Sequence, residues 1–406
     1  MSNLLEQINS AARKTSKLVD FAMINPIVRL ERGKEYPFLD MSEVKALTRI
    51  PELSNKKTFI GSGSKFEMGD TLFARITPCL ENGKITRVLS LNTPAFGSTE
   101  FIVLRGKDGT SDNNFIYYLA QTYKLRKKAE QSMIGASGRQ RVDRVAFENI
   151  PVAFPSLTTQ KKIAEILSAY DSKIENNNKI IKNLEATSQA LFNEWFVNLH
   201  FPGNEKVKMV ESEMGEIPEE WSVGKIKDLI RVESGFPFSS SVFNDTGKYK
   251  LVTIRNVQDG SFVADCDNLI AELPSKLPKH CLLHSGDILL SLTGNVGRIC
   301  LVNGENYVLN QRVSVLIPIH ERDRAYAYFL FRRSDFQNLL ISISKGTAQL
   351  NLSPVETKEL ETIIPNTSTL QKYSEIATPM YKKIVEINSE NVNLKESRDQ
   401  LLAKLI

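Results

Sequence analysis

The stretch that most limits what this chain can fold into runs from Thr159 to Trp195, TQKKIAEILSAYDSKIENNNKIIKNLEATSQALFNEW. Every seventh residue from Ile163 gives Ile163, Tyr170, Asn177, Leu184 and Leu191; four further on each time stand Leu167, Ile174, Ile181, Ser188 and Trp195. Eight of these ten are apolar or aromatic, and the positions between them are mostly Lys, Glu, Asn and Gln. A 4-3 alternation held over five heptads, with no Gly or Pro inside it, predicts a helix that packs along one narrow stripe. Thr158 or Thr159 is placed to cap its start. A second seam lies 210 residues later: Tyr373, Ala377, Met380, Ile384, Ile387, Asn391, Leu394, Arg398, Leu401 and Leu405, again eight of ten apolar or aromatic. Leu184 corresponds to Leu394 and Leu191 to Leu401. Two matched narrow seams in one chain are expected to pack on each other, antiparallel. Aligned end to end, they set Ile163 against Leu405 and Asn177 against Asn391, an Asn pair that would fix the register at some cost in stability.

The rest of the chain repeats with the helix. GDTLFARITPCLENGKITRV (69–88) matches GDILLSLTGNVGRICLV (286–302), and STEFIVL (98–104) matches NQRVSVL (310–316). FIYYLAQTYKLRKKAEQSMIGASGRQRV (115–142) matches AYAYFLFRRSDFQNLLISISKGTAQLNL (325–352), and FENIPVAFP (147–155) matches ELETIIP (359–365). The chain therefore reads as a first globular block (1–155), a long helix (156–200), a polar linker (201–220), a second block (221–365) and a second long helix (366–406). Within 35–105, TFIGS, DTLFARI, KITRVLSL and STEFIVLRG read as strands, with Asn82-Gly83 as a turn. A helix is expected over 112–131, then a break from Gly135 to Gly138 and a strand ending at Pro155. The second block repeats this, with strands near 250–264, 287–292, 297–302 and 311–318, a helix near 323–343, and a loop at Gly346. The fold class is α+β: two similar α+β domains separated by two long antiparallel coiled-coil helices, a pseudo-two-fold internal repeat.

Several function classes lack their residues. No Gly-x-x-x-x-Gly-Lys-Ser/Thr phosphate loop occurs. Asn25-Pro26 is followed by Ile27, not by the Pro-aromatic pair of a base-gripping pocket. His280, Cys281 and His284 form the one metal-like cluster, but it has no partner cluster and reads as structural. Cys79, Cys266, Cys281 and Cys300 are scattered, which argues against a disulfide or zinc framework. No apolar run approaches the roughly 20 residues that span a bilayer, and the first 26 residues read as a short amphipathic helix rather than a signal. The expectation is a non-catalytic, cytoplasmic binding protein. Residues 1–155 carry 23 Lys/Arg against 16 Asp/Glu, and residues 211–365 carry 16 against 20, so charge suits the first block to nucleic acid and is silent on the second.

PSLTTQKKIAEILSAYDSKIENNNKIIKNLEATSQALFNEWF, GEIPEEWSVGKIKDLI with the following SGFPFSS, and GDTLFARITPCLENGKI together resemble the specificity (S) subunits of Type I restriction-modification enzymes, over nearly the whole chain. The resemblance implies two target recognition domains spaced by two helices, reading a bipartite double-stranded DNA site. It implies two methyltransferase subunits as partners, with restriction subunits able to join. S-adenosylmethionine, ATP and Mg2+ would be bound by those partners and no cofactor by this chain. The first block departs from the family in lacking the Gly-x-Ile-Pro-x-x-Trp opening seen at 215–221; the N-terminal helix is expected to replace it, packing near the end of the second long helix. A 37-residue helix at ~1.5 Å per residue spans roughly 55 Å, against about 34–36 Å for one turn of B-DNA, so the helices are expected to act as a ruler. The competing readings are a self-sufficient enzyme fused to a recognition module, a coiled-coil scaffold, or a recognition module serving another DNA-modifying effector.

Base readout calls for Arg, Asn, Gln or Lys on loops that reach a groove. The candidates in the first block are Thr77, Glu81, Asn82 and Lys84 after the DTLFARI strand, and Ser137, Arg139, Gln140 and Arg141. The repeat-equivalent loops of the second block offer Thr293, Asn295, Arg298, Gln311, Arg312, Lys345, Thr347 and Gln349.

Overall fold

A computed structural model of the chain describes residues 6, 8, 10–45, 49–51, 53, 55–136, 138–347 and 349–406. The chain divides into two compact units, residues 1–174 with 394–406 and residues 175–393. Each unit contains one α+β head and a segment of both long helices, so the units part within the helices rather than at 155/156 and 365/366.

In the first unit the central sheet is built from β1 (Ala22–Ile24), β2 (Thr71–Ala74), β3 (Ile85–Arg87) and β4 (Phe101–Gly106), in the order β1-β4-β2-β3 and antiparallel throughout. Its apolar runs are buried on both faces, and the pleat sorts them. Phe73, Ile102 and Leu104 enter a core with Phe115, Phe147, Ile163, Leu167, Leu402 and Leu405. Their neighbours Leu72, Phe101 and Val103 enter a second core with Leu39, Phe66 and Val88, under a smaller sheet in which Phe38 pairs parallel with Phe96. The single helix expected over 112–131 is two, Asn113–Gln121 and Tyr123–Gln131. Asp112 caps the first through Phe115 N–H (3.0 Å), and extended Thr122 breaks the pair and restarts the second. Of the expected N-terminal helix, part lies outside the described residues. The remainder holds a strand at Lys14–Lys17 and a short helix at Leu18–Phe21. Ile8 is buried beside Leu402 and Leu405, and Arg13 donates to Leu405 O (2.7 Å), satisfying a last-turn carbonyl of the second long helix.

The second unit repeats the plan. β5 (Ile230–Ser234), β6 (Ile288–Ser291), β7 (Ile299–Leu301) and β8 (Val313–Pro318) stand in the order β5-β8-β6-β7, again antiparallel. Ile288, Leu290 and Leu316 face the core shared with Phe192, Trp195, Tyr373 and Ile384, while Leu289, Val313 and Val315 face the small-sheet side. The helix expected near 323–343 is also broken, at extended Arg333. The segment taken for a linker over 201–220 is structured: Met209–Ser212 and Gly215–Pro218 form a hairpin, and Trp221 stacks on Phe201 at 5.1 Å. Ile217 and Trp221 are apolar positions with a core to enter, which a linker would not have.

The long helices run Leu157–Phe196 and Thr367–Leu405. The cap of the first is Ser156, whose Oγ accepts from Thr159 N–H at 3.3 Å, rather than Thr158 or Thr159. Asn366 caps the second through Thr369 N–H (2.8 Å). Pro379 lies inside the second helix on its exposed side, where the missing N–H removes one i→i−4 bond. In the second unit Asn177 Nδ2 donates to Asn391 Oδ1 at 2.9 Å and Ser188 Oγ lies 3.5 Å from Met380 Sδ, so the segments run antiparallel in the expected register. In the first unit Arg398 Nη1 donates to Asp171 Oδ1 at 2.6 Å, and both side chains are buried. Tyr118 OH donates to the other oxygen of Asp171 at 2.6 Å, and burial pushes its phenol well above the usual value, keeping it a donor.

Ile163, Leu167, Ile174, Asn177, Ile384, Ile387 and Asn391 are buried as the heptads require. Leu184 and Leu394 are half-buried. Elsewhere the seam drifts by one residue: Tyr170, Leu191, Met380 and Leu401 are half-buried, and Asp171, Phe192, Tyr381 and Leu402 take the buried places. A straight helix turns every 3.6 residues, so a strict heptad stripe rotates away from it, and the heads meet the displaced positions: Tyr118 OH bonds Asp171, Tyr326 packs on Phe192 and Tyr328 on Tyr381.

Removing Asp171 leaves the buried Arg398 with only the exposed Asp399 (2.8 Å) and takes the carboxylate acceptor from Tyr118 OH. Asp171→Ala should lower the unfolding free energy by about 3 kcal/mol, while the double substitution Asp171→Leu with Arg398→Leu should be close to neutral. Urea midpoints for the two variants check this.

Candidate nucleic-acid interface

In both heads the loop after the second strand of the sheet meets the loop after the second short helix, and the same backbone ladder joins them. In the first head Val142 N–H donates to Arg75 O (2.7 Å) and Thr77 N–H to Gln140 O (3.0 Å). In the second, Leu352 N–H donates to Leu292 O (2.7 Å) and Gly294 N–H to Leu350 O (2.9 Å). Each of the second loops opens with a glycine at positive φ, Gly135 at 118° and Gly346 at 125°, a region open to Gly and strained for other residues. At Gly346 a Cβ would stand 2.2 Å from Gln349 O, so the close turn excludes any side chain.

The ladder sorts the candidate residues. Thr77 and Thr293, expected to reach DNA, are instead 8% and 7% exposed and tie the loops together. Thr77 Oγ1 accepts from Gln140 N–H at 3.1 Å, and Thr293 Oγ1 donates to Asn351 Oδ1 at 3.0 Å. Gln140 and Arg141 are brought beside Thr77; Gln349 and Lys345 are brought beside the 293–294 turn. Asn82, Arg139, Asn295, Gln311, Arg312, Thr347 and Gln349 are exposed on these loops or next to them. Lys84 is half-buried and donates to Met41 O at 2.8 Å, which turns it toward the small-sheet side. Arg298 is half-buried and held by Gln258, and Lys345 pairs with Glu356. Ser137 lies outside the described residues. His280 Nε2 sits 2.9 Å from Ser234 O, and Cys281 is buried, so these two residues serve the fold of the second head.

Two residues that reasoning from the sequence passed over belong to this surface. Glu100 accepts from Arg141 Nε (2.9 Å) and Nη2 (2.7 Å), which holds the Arg141 guanidinium above its usual pKa. Its carbonyl accepts from Arg75 N–H (2.9 Å), just as Arg312 O accepts from Leu292 N–H (3.1 Å). The alignment of STEFIVL with NQRVSVL already equated Glu100 with Arg312. Asn351, which pairs with Lys345 in both directions across the second loop, was equally reachable, since the match of 115–142 with 325–352 equates it with Arg141.

Two repeated heads, each presenting a rigidly tied pair of polar loops on a helix-supported sheet, define a class of tandem-domain recognition proteins. The Type I restriction modification DNA specificity domain family matches the chain twice, over residues 15–186 and 218–395. The chain belongs to this family. It is 31% identical over 336 residues to the Type I restriction enzyme MjaVIII specificity subunit of Methanocaldococcus jannaschii, covering 80% of this chain and 74% of that one. The MjaIX specificity subunit of the same organism is 27% identical over 305 residues, 74% of this chain and 69% of that one. Among solved structures, the S subunit of a Type I restriction-modification system from M. genitalium shares the fold at a TM-score of 0.55 and 16% identity, over 98% of this chain and 97% of that one.

Losing the Thr77 hydroxyl should loosen one loop without unfolding the head. Thr77→Val deprives Gln140 N–H of an acceptor worth about 1 kcal/mol. Amide exchange at Gln140 should quicken roughly fivefold, while exchange in β2 and β4 stays unchanged.

Proposed function

We propose that this chain is the sequence-reading subunit of a Type I restriction-modification complex, with each head taking one half of a two-part DNA target. The observation that carries the reading is the ladder repeated in both heads, which fixes two exposed polar loops on a rigid sheet. Base edges are read by side chains of this kind, held on loops a scaffold cannot let drift. The exposed set Asn82, Arg139, Arg141, Asn295, Gln311, Arg312, Thr347 and Gln349 supplies the donors and acceptors.

The chain itself performs no chemistry in this proposal. Two methyltransferase subunits bind it and hold S-adenosylmethionine, and restriction subunits that use ATP and Mg2+ can join them. Its place is the cytoplasm, where the DNA is; among the described residues no helix is long and apolar enough to cross a membrane.

The decisive experiment maps methylated bases in cells with and without the chain; an unchanged map sinks the proposal. In the reconstituted complex, Arg139→Ala and Asn295→Ala should each abolish site-directed methylation while the subunits still co-purify. Binding of the wild-type complex to its target should weaken steeply with salt, as phosphate contacts demand.

A further inference from the structure

Among the loop residues of the first head, Arg141 is held differently from the rest. It begins a two-residue strand, Arg141–Val142, and its backbone bridges Ile76, so its Cα is fixed by the sheet rather than by a loop tip. Glu100 grips one edge of its guanidinium: Nε lies 2.9 and 3.0 Å from the two carboxylate oxygens, and Nη2 lies 2.7 Å from Oε1. That side-on grip leaves Nη1 and the outer hydrogen of Nη2, the end-on fork of the group. None of the hydrogen bonds among the described residues uses Nη1. The arginine side chain remains 46% exposed and the glutamate 20%, so the carboxylate sits behind the fork. Exposed ion pairs add little stability, and the effect of this one is to fix the plane and direction of a charged, two-pronged donor.

An end-on guanidinium fork matches the O6 and N7 acceptors that guanine shows in the major groove, and no other base offers that pair. We infer that Arg141 reads a guanine in the half-site of the first head, and that Glu100 is the positioning residue that presents it. This rests on the proposed sequence-reading role and names the base at one of its positions.

The test uses the full chain in complex with its methyltransferase subunits, with the recognised motif read by mapping methylated bases. The wild-type motif carries a guanine in the half-site read by the first head. Arg141→Lys keeps the charge and loses the fork, so discrimination for that guanine falls roughly 5- to 150-fold. Arg141→Gln shifts the preference at the same position toward adenine, whose N6 and N7 suit an amide. Glu100→Gln relaxes the same position to a smaller degree. In all three variants the other half-site is read as before, which shows the complex intact. A motif without guanine in that half-site overturns the assignment, as does an Arg141→Lys complex that weakens uniformly on all sequences. Relaxation in the arginine variants with none in Glu100→Gln overturns the role given to Glu100. Methylation that does not depend on the chain at all sinks the sequence-reading role itself.

Discussion

The structure depends on a contact between residues far apart in the chain: Asn177 donates to Asn391 at 2.9 Å, and Asn391 donates to Asn178 at 3.0 Å. A carboxamide in a helix seam is less stabilising than Ile or Leu, and its gain is a single register. Sliding one helix by a heptad sets Asn177 against Ile384 and Asn391 against Tyr170 in one direction, and Asn391 against Leu184 in the other, at about 1–3 kcal/mol for each buried group left unpaired. The same register brings Asp171 to Arg398 and Ser188 to Met380. These pairs also show how far the two halves have diverged. At the 210-residue shift Asp171 corresponds to Tyr381 and Arg398 to Ser188, so the complement of each charge lies on the other helix and not on a copy of its own.

The heads diverge differently. Their sheets keep one strand order and their loops keep one ladder, yet the side chains carried there have little in common. At the position before the last sheet strand the first head places Glu100 and the second Arg312. The loop tie is a threonine accepting a backbone N–H in one head and a threonine donating to a side-chain amide in the other. The net charges of the blocks, positive in the first and negative in the second, are consistent with this: what each head offers a partner is set by a few loop residues, not by its overall charge.

Much of this was legible beforehand, because the signals were periodic and repeated. The heptads placed the second long helix within a residue at each end and the first within one residue at its start and four at its end, and put Asn177 opposite Asn391. The repeat located the paired loops before any distance was known. Tyr170 was misplaced because a heptad count cannot see that a head packs on the helix and draws Asp171 inward. The 112–131 helix looked continuous because a break made by one extended threonine leaves the apolar face nearly in phase. The 201–220 stretch reads as a linker because its polar residues outnumber Phe201 and Ile217, which with the following Trp221 decide its fate. Thr77 and Thr293 carry the residue type expected at a DNA contact, and sequence cannot distinguish a hydroxyl that faces outward from one that closes a loop.

The burial of those two hydroxyls explains how such a head can change what it reads. The loops are held by backbone hydrogen bonds, by glycines at positive φ and by buried threonines, none of which depends on the exposed residues between them. Substitutions at exposed loop positions away from caps and buried partners are usually worth less than about 0.5 kcal/mol of stability. Arg139, Asn295 or Gln349 can therefore be exchanged with little effect on folding, whereas the ladder beneath them cannot. A duplicated chain built in this way can alter one reading head while the helix seam and the other head stay as they are.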